Sequence, residues 1–172
     1  MSHAAQPYLL AISRTLNSVL CLETYPNLMG DRGQRPEIEG DGNSGGTFVP
    51  LGSVTIARST AERTVIDYSP NSVRVNICIR KFDDLEKNLV QMVASFMQKR
   101  SDELYVMRKK PLPGYDFTFL ITVDHLMRLS RRDIVKFILD FISHIDKETN
   151  MMRLAVNAHV RQAVQQFIAH YK

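Results

Sequence analysis

The sequence has few cysteines and no long apolar run. Cys21 and Cys78 lie far apart and neither belongs to a C-x-x-C pair, so we expect neither a disulfide framework nor a cysteine zinc site. The most apolar stretches, such as residues 117–123, are far shorter than the roughly 20 residues of a membrane-spanning helix. The first residues lack the basic start and apolar core of a signal peptide. These absences predict a protein of the reducing cytosol that is neither exported nor inserted in a membrane.

Motifs of the common enzyme and cofactor classes are also missing. The glycine-rich residues 40–46 are not followed by Gly-Lys-Ser/Thr, which favours a flexible insertion over a phosphate-binding loop. Asp124 and His125 follow a predicted strand, but neighbours on an extended chain point apart, so we expect a surface loop there. We therefore predict no catalysis, no metal and no cofactor. The histidines, none with the spacing of a zinc-protease helix, are His3, His125, His144, His159 and His170.

Length, composition and charge describe an ordinary globular protein with a basic surface. The 172 residues are 44% hydrophobic and 23% charged, which predicts a single domain over residues 1–172 with a sizeable core. The formal net charge of +4 favours acidic partners, whether protein, nucleic acid or anionic lipid.

The hydrophobic periodicity alternates between the patterns of helices and strands. Residues 72–80 alternate most clearly, with Val73, Val75 and Ile77 on one face and Arg74 and its alternates on a face that is wet or covered by a partner. The predicted helices cover residues 7–22, 83–100 and the region after Ser130, and the predicted strands cover 53–58, 63–68, 72–80, 103–108 and 115–122. Most of residues 27–52 are predicted to form a loop.

This order of elements predicts an α+β fold, an antiparallel sheet with packed helices and a long C-terminal helical segment. The last two strands are expected to form a hairpin around the turn at residues 109–114. Ser130 and Asp133 resemble a helix start, and an apolar stripe follows from Ile134 to the C-terminus. Whether the chain breaks between Lys147 and Arg153 is left open by the pattern.

Three groups of basic residues leave more than one function open. A sheet face that carries Arg74 and Arg108 is compatible with an acidic protein or with RNA, although only Tyr105 and Tyr115 are placed to stack on bases. A peptide-binding module and a small enzyme without a familiar motif also remain open. The groups are Arg74, Arg80 and Lys81; Arg108, Lys109 and Lys110; and Arg128, Arg131, Arg132 and Lys136.

An ordered set of short segments along nearly the whole chain resembles one known family. The segments are PYL at 7–9, CLE at 21–23, RPEIE at 35–39, VTI at 54–56, NSVRV at 71–75, RKKPLPGYDFTFLIT at 108–122, IDKE at 145–148 and LAVNA at 154–158. Together they resemble the subunit-four family of the actin-related protein 2/3 complex. The glycine-rich residues 40–52 are longer than the family's usual connection, and the residues before Pro7 do not match clearly.

The resemblance implies a non-catalytic scaffold role in the cytoplasm, at the actin cytoskeleton. The partners it implies are the larger scaffold subunit two, the actin-related subunits and the side of the mother actin filament, in support of branched actin nucleation. The C-terminal helical segment is expected to supply the subunit interface through Met152, Val156, Val160, Val164 and Phe167. For the filament contact we expect Arg108, Lys109, Lys110 and Arg161, with another subunit as the competing partner of Arg108 to Lys110.

Overall fold

A computed structural model describes residues 5–22, 36, 38, 51–79, 93, 96, 106 and 111–170 of the chain. Within these residues the helices are α1 (Ala5–Val19), α2 (Val123–Arg128) and α3 (Arg131–His170), and the strands are β1 (Gly52–Ala57), β2 (Arg63–Tyr68), β3 (Ser72–Cys78) and β4 (Phe117–Thr122). The predicted α+β fold with an antiparallel sheet and a long C-terminal helix is confirmed.

The four strands form one sheet in the order β1-β2-β3-β4, and each neighbouring pair is antiparallel. In this register Val75 lies opposite Ile66 on one side and Phe119 on the other. Because alternate residues share a face, these three buried side chains and their alternates form one apolar surface. The helices α1 and α3 bury their apolar stripes in the same core cluster.

Helix α3 begins at the predicted cap. The backbone N–H of Asp133 donates to the Ser130 hydroxyl at 3.2 Å, and that hydroxyl donates to the Asp133 carboxylate at 2.6 Å. The helix then runs for 40 residues, about 60 Å, without a break between Lys147 and Arg153. The question that periodicity left open is thus decided in favour of one continuous helix.

The outer face of the sheet is buried by the chain itself along β3 and β4, whereas the outer-face residues of β1 are exposed. The backbone N–H of Ile38 donates to the Ser72 hydroxyl at 3.3 Å, and the Cys78 thiol donates to the Gly114 carbonyl at 3.2 Å. Ser72 and Asn76 are consequently buried on this face. The prediction of a wet or partner-covered face was wrong, because alternation reports which face is apolar but not what lies over the other one.

Element boundaries differ from the prediction at turns. The strand predicted from residue 115 begins at Phe117, because a turn closes from the Tyr115 N–H to the Leu112 carbonyl at 3.1 Å, with Gly114 at φ 84°. The prediction of a strand at 103–108 fails at Val106, which is buried in a helical turn, and the rest of that segment lies outside the described residues. In the predicted helix 83–100, the described residues Val93 and Phe96 are helical.

Candidate partner-binding surface on the long helix

Helix α3 changes character halfway along its length. Its first half is anchored in the core, where Ile138 and Phe141 are fully buried and Ile145 is 2% exposed. From Asn150 to Gln165, every side chain that the structure describes is exposed, apart from the half-buried Met152. The second half of α3, which we call the projecting half (residues 150–170), therefore extends beyond the core of the described chain.

Apolar residues lie on more than one face of the projecting half. Met151 is 48% exposed and Leu154 is 65% exposed, and their spacing of three places them on one face. Met152, about 200° from Leu154 around the helix, lies on the opposite face and packs partly against the core. A helix with apolar residues around much of its circumference is typical of a covered helix, so this surface is suited to a partner.

The projecting half also carries charge of one sign. The sequence from residue 149 to 172 contains Arg153, Arg161 and Lys172 but no aspartate or glutamate. Arg153 and Arg161 are both exposed. The surface therefore combines apolar area with positive charge, which suits a partner that offers an apolar groove with an acidic rim.

The predicted interface and filament residues are only partly within the described structure. The backbone of Val156, Val160, Val164 and Phe167 belongs to α3, but their side chains are outside the described set. Arg161 is on the projecting half, whereas Arg108, Lys109 and Lys110 lie outside the described residues. Sequence reasoning missed Met151 and Leu154, although their i, i+3 spacing was a signal of a second apolar face.

A polar cluster lies where α3 leaves the core. Asp146, one residue after the buried Ile145, forms an ion pair with the guanidinium of Arg58, which follows β1. That guanidinium also lies over the ring of Tyr8 of α1, 4.3 Å from its centroid, and the Tyr8 hydroxyl is 2.6 Å from that of Thr64 in β2. The cluster thus links α3 to α1 and to two strands.

A small cavity of about 20 Å³ adjoins this cluster and is lined in part by Arg58, Asp146 and Thr149. Arg58 Nε and Thr149 Oγ1 are buried without a hydrogen-bond partner in the described part of the chain. The volume is enough for about one water molecule. A space of this size is too small for a metabolite, so the cluster has the character of a structural contact.

A second Arg–Asp pair lies on the outer face of the sheet. Asp67 Oδ2 accepts hydrogen bonds from Arg74 Nε at 3.2 Å, Arg74 NH2 at 3.1 Å and Asn76 Nδ2 at 3.0 Å, and its other oxygen accepts from the Ser53 hydroxyl at 2.7 Å. Arg74 also donates to the Ile38 carbonyl at 3.1 Å. The guanidinium of this member of the predicted basic groups is thus occupied by contacts within the chain.

Asp124 and His125 lie in α2 and not in the surface loop that was predicted. The Thr122 N–H donates to His125 Nδ1 at 3.1 Å, which holds the ring at the start of the helix. Burial lowers the pKa of His125, with a smaller opposing effect from Asp124. The prediction failed because the end of β4 passes directly into a helix without a loop.

The described residues offer neither a metal-binding cluster nor a membrane-spanning helix. They contain no group of three or more histidine, cysteine, aspartate or glutamate side chains arranged to hold a metal ion. Among the helices described here, none is long and apolar enough to cross a membrane.

Comparison with known proteins assigns the chain to a family. The family model of the ARP2/3 complex 20 kDa subunit (ARPC4) matches residues 1–170. Over 171 residues, 99% of each chain, the protein is 39% identical to the probable actin-related protein 2/3 complex subunit 4 of Caenorhabditis elegans. With the same coverage it is 32% and 31% identical to actin-related protein 2/3 complex subunit 4 of Dictyostelium discoideum and of Saccharomyces cerevisiae. The chain therefore belongs to the ARP2/3 complex 20 kDa subunit family.

Proposed function

We propose that this protein is a non-catalytic structural subunit of the actin-nucleating actin-related protein 2/3 complex. It acts in the cytoplasm at the actin cytoskeleton, where it pairs with scaffold subunit two, holds the actin-related subunits and contacts the mother filament in support of branched nucleation. The family match and the names of the relatives support membership of the complex. The individual partners are the part of the proposal that needs testing.

The observation that carries the proposal is the exposed projecting half of α3. Helix α3 has 40 residues, and its first half is anchored in the core. The second half is therefore held in a fixed position in which a partner can bind it. Within the described chain, Leu154 is 65% exposed and Met151 is 48% exposed. Exposed apolar side chains that lie together on one helix face are the feature by which an amphipathic helix binds an apolar groove of a partner.

The free energy expected from burying this one helix indicates that other contacts also contribute to the interface. If the five predicted residues Met152, Val156, Val160, Val164 and Phe167 are covered, burial of about 1.5–3 kcal/mol for each large side chain gives on the order of 10 kcal/mol. Association costs about 4–15 kcal/mol, so this gain is offset almost completely. Met151, Leu154 and contacts from other elements must then supply the surplus.

Replacement of Leu154 by aspartate tests the interface. We expect Leu154→Asp to weaken association with subunit two by at least about 100-fold, because about 1.5–3 kcal/mol of burial is lost and a carboxylate is desolvated. The assay is co-purification of the tagged chain, followed by titration of the partner. Met127→Asp is the matched control, since Met127 is 80% exposed in α2.

The double variant Val160→Asp with Phe167→Asp tests the predicted stripe in the same assay and should also release the partner. Normal assembly of Leu154→Asp and of this double variant, with the chain folded, would refute the interface. A loss that Met127→Asp shares would show only that added negative charge disturbs assembly.

Contact with the filament is the second part of the proposal. We assign it to Arg108, Lys109, Lys110 and Arg161, of which Arg161 is exposed on the projecting half. Each exposed charge contributes only about 0–1 kcal/mol, so one substitution should weaken attachment slightly and four together strongly. The effect should decrease as salt rises, because the Debye length is about 8 Å at physiological ionic strength.

A complex with glutamate at all four positions distinguishes a filament contact from a contact with another subunit. We expect normal assembly and weak attachment to the filament side. Failed assembly would assign these residues to a subunit contact, and unaltered branching would refute the filament role. The matched control reverses another basic group, Arg128, Arg131, Arg132 and Lys136, all of which are exposed, and should leave attachment unchanged.

A further inference from the structure

The point at which α3 leaves the core is held by directional polar contacts. Apolar packing, which has no strong directional preference, anchors the helix up to Ile145 and again in part at the half-buried Met152. The next residue, Asp146, is instead paired with Arg58. Because a charge-assisted contact to a planar guanidinium depends on both distance and angle, it restrains the helix at this point more specifically than apolar packing does.

The restraint on Arg58 is in turn fixed from two other elements. The guanidinium carbon of Arg58 lies over the Tyr8 ring of α1, 4.3 Å from the ring centroid. The Tyr8 hydroxyl is 2.6 Å from the Thr64 hydroxyl, and both residues are buried. A continuous series of contacts therefore runs from β2 through α1 and the end of β1 to α3.

We propose that Tyr8, Arg58 and Asp146 form a polar clamp that sets the direction in which the projecting half of α3 leaves the core. These are positioning residues, because they act on the partner surface through the helix and do not touch the partner. The importance of this direction for assembly rests on the proposed function, whereas the clamp itself is a property of the chain.

The electrostatics fit a clamp that contributes specificity more than stability. Burial raises the pKa of the Asp146 carboxyl above its ordinary value, although Arg58 opposes that rise and Glu62 adds to it. Burial thus disfavours the charged form of this carboxyl, and the contact with Arg58 acts in the opposite direction. Such partly buried pairs are retained in some proteins because they select one arrangement of the chain.

The length of the projecting half makes its direction consequential. Gln165 lies 19 residues beyond Asp146, about 29 Å along the helix axis. A swing of about 10° at Asp146 would move Gln165 by about 5 Å, which is larger than the reach of any single contact in an interface. If the direction of α3 at Asp146 were not fixed, the projecting half would therefore occupy many positions relative to the core.

Distances between two spin labels measure this direction on the full chain. One label is placed on the exposed Cys21 near the end of α1, and the other on a cysteine that replaces the exposed Gln165, while Cys78 is buried. We expect a narrow distance distribution for the otherwise native chain. Arg58→Met should broaden or shift it by about 5 Å. Arg58→Lys keeps the charge and should restore part of the order.

The matched control is Arg74→Met, which breaks the other half-buried Arg–Asp pair on the opposite side of the sheet. We expect the label distances to stay native in this variant. If Arg58→Met does not fold, Asp146→Asn, which is close in shape, gives the decisive distribution. Native distances in the folded Arg58 or Asp146 variant, or equal broadening in Arg74→Met, would overturn the clamp.

The clamp and the proposed function fail in different ways. If Leu154→Asp and the double variant of Val160 and Phe167 both leave partner binding intact, the proposed surface is wrong, and the label distances still decide whether the clamp exists. If the surface is right and the clamp exists, Arg58→Met should weaken partner binding although every residue of the projecting half is native.

Discussion

Removal of the Phe141 ring is the most direct test of how α3 is anchored. Phe141 is fully buried and meets three other rings edge to face: Phe117 at 4.9 Å, Phe119 at 5.2 Å and Phe96 at 5.4 Å between centroids. Truncation of a buried phenylalanine to alanine costs about 3–5 kcal/mol. Each edge-to-face pair adds about 0.5–1.5 kcal/mol beyond area burial, so we expect Phe141→Ala to lie at the upper end, about 5 kcal/mol.

The assay is urea unfolding of the purified full chain, followed by far-UV circular dichroism, with the free energy taken from the midpoint at constant slope. Phe141→Leu keeps most of the volume and should cost only about 1.5 kcal/mol. Leu154→Ala, in the same helix but 65% exposed, should stay within about 0.5 kcal/mol of the native chain. A cost below about 1.5 kcal/mol for Phe141→Ala, or an equal cost for Leu154→Ala, would refute the division of α3 into an anchored and a projecting half.

Two further predictions concern the polar contacts. Asp67→Ala should destabilise the chain by about 3 kcal/mol in urea unfolding, because the buried Asn76 amide and the half-buried Arg74 guanidinium lose their acceptor. The exposed Asp124→Ala should be nearly neutral, and equal effects would contradict the network around Asp67. Burial lowers the pKa of His125 in the folded chain, so the unfolded chain binds the proton more readily. The stability contributed by the neutral ring is therefore present above about pH 6.5 and is lost as the pH falls towards the folded-state pKa. His125→Gln should reduce the loss of thermal stability between about pH 7.5 and pH 5, and an unchanged pH dependence would exclude His125 as its source.

Features that depend on neighbouring residues could be predicted from the sequence alone. The alternation around Val75 identified β3 and its core face, and the helix start at Ser130 was found from the spacing of its capping residues. The turn before β4 followed from Pro113 and Gly114, since the turn requires a backbone angle that glycine adopts readily. These features are local because strand pleat, helix pitch and turn geometry each span only a few residues.

The candidate site was predictable only in outline. Helical periodicity and the family resemblance pointed to the C-terminal segment, but the stripe through Val156 and Val160 is equally typical of a helix packed on its own core. The exposure of Leu154 and the continuity of α3 decide that this part of the helix extends beyond the core. Continuity could not be read from periodicity, because an apolar pattern indicates which face of a helix is covered and not where the neighbouring elements end.

The tertiary structure alone decided the contacts between distant residues. Arg58 and Asp146 are 88 positions apart, and no local pattern relates a residue after β1 to one in the middle of α3. In the same way, Ile38 covers the outer face of β3 from a position 34 residues away from its hydrogen-bond partner Ser72. The Arg58–Asp146 pair forms because the packing of α1 and α3 on one sheet face brings remote polar groups to the same edge of the core, whereas the Ile38 contact lies on the opposite face of the sheet. In both places each buried charge or donor must find a partner, and the sequence shows which residues need one without showing which residue provides it.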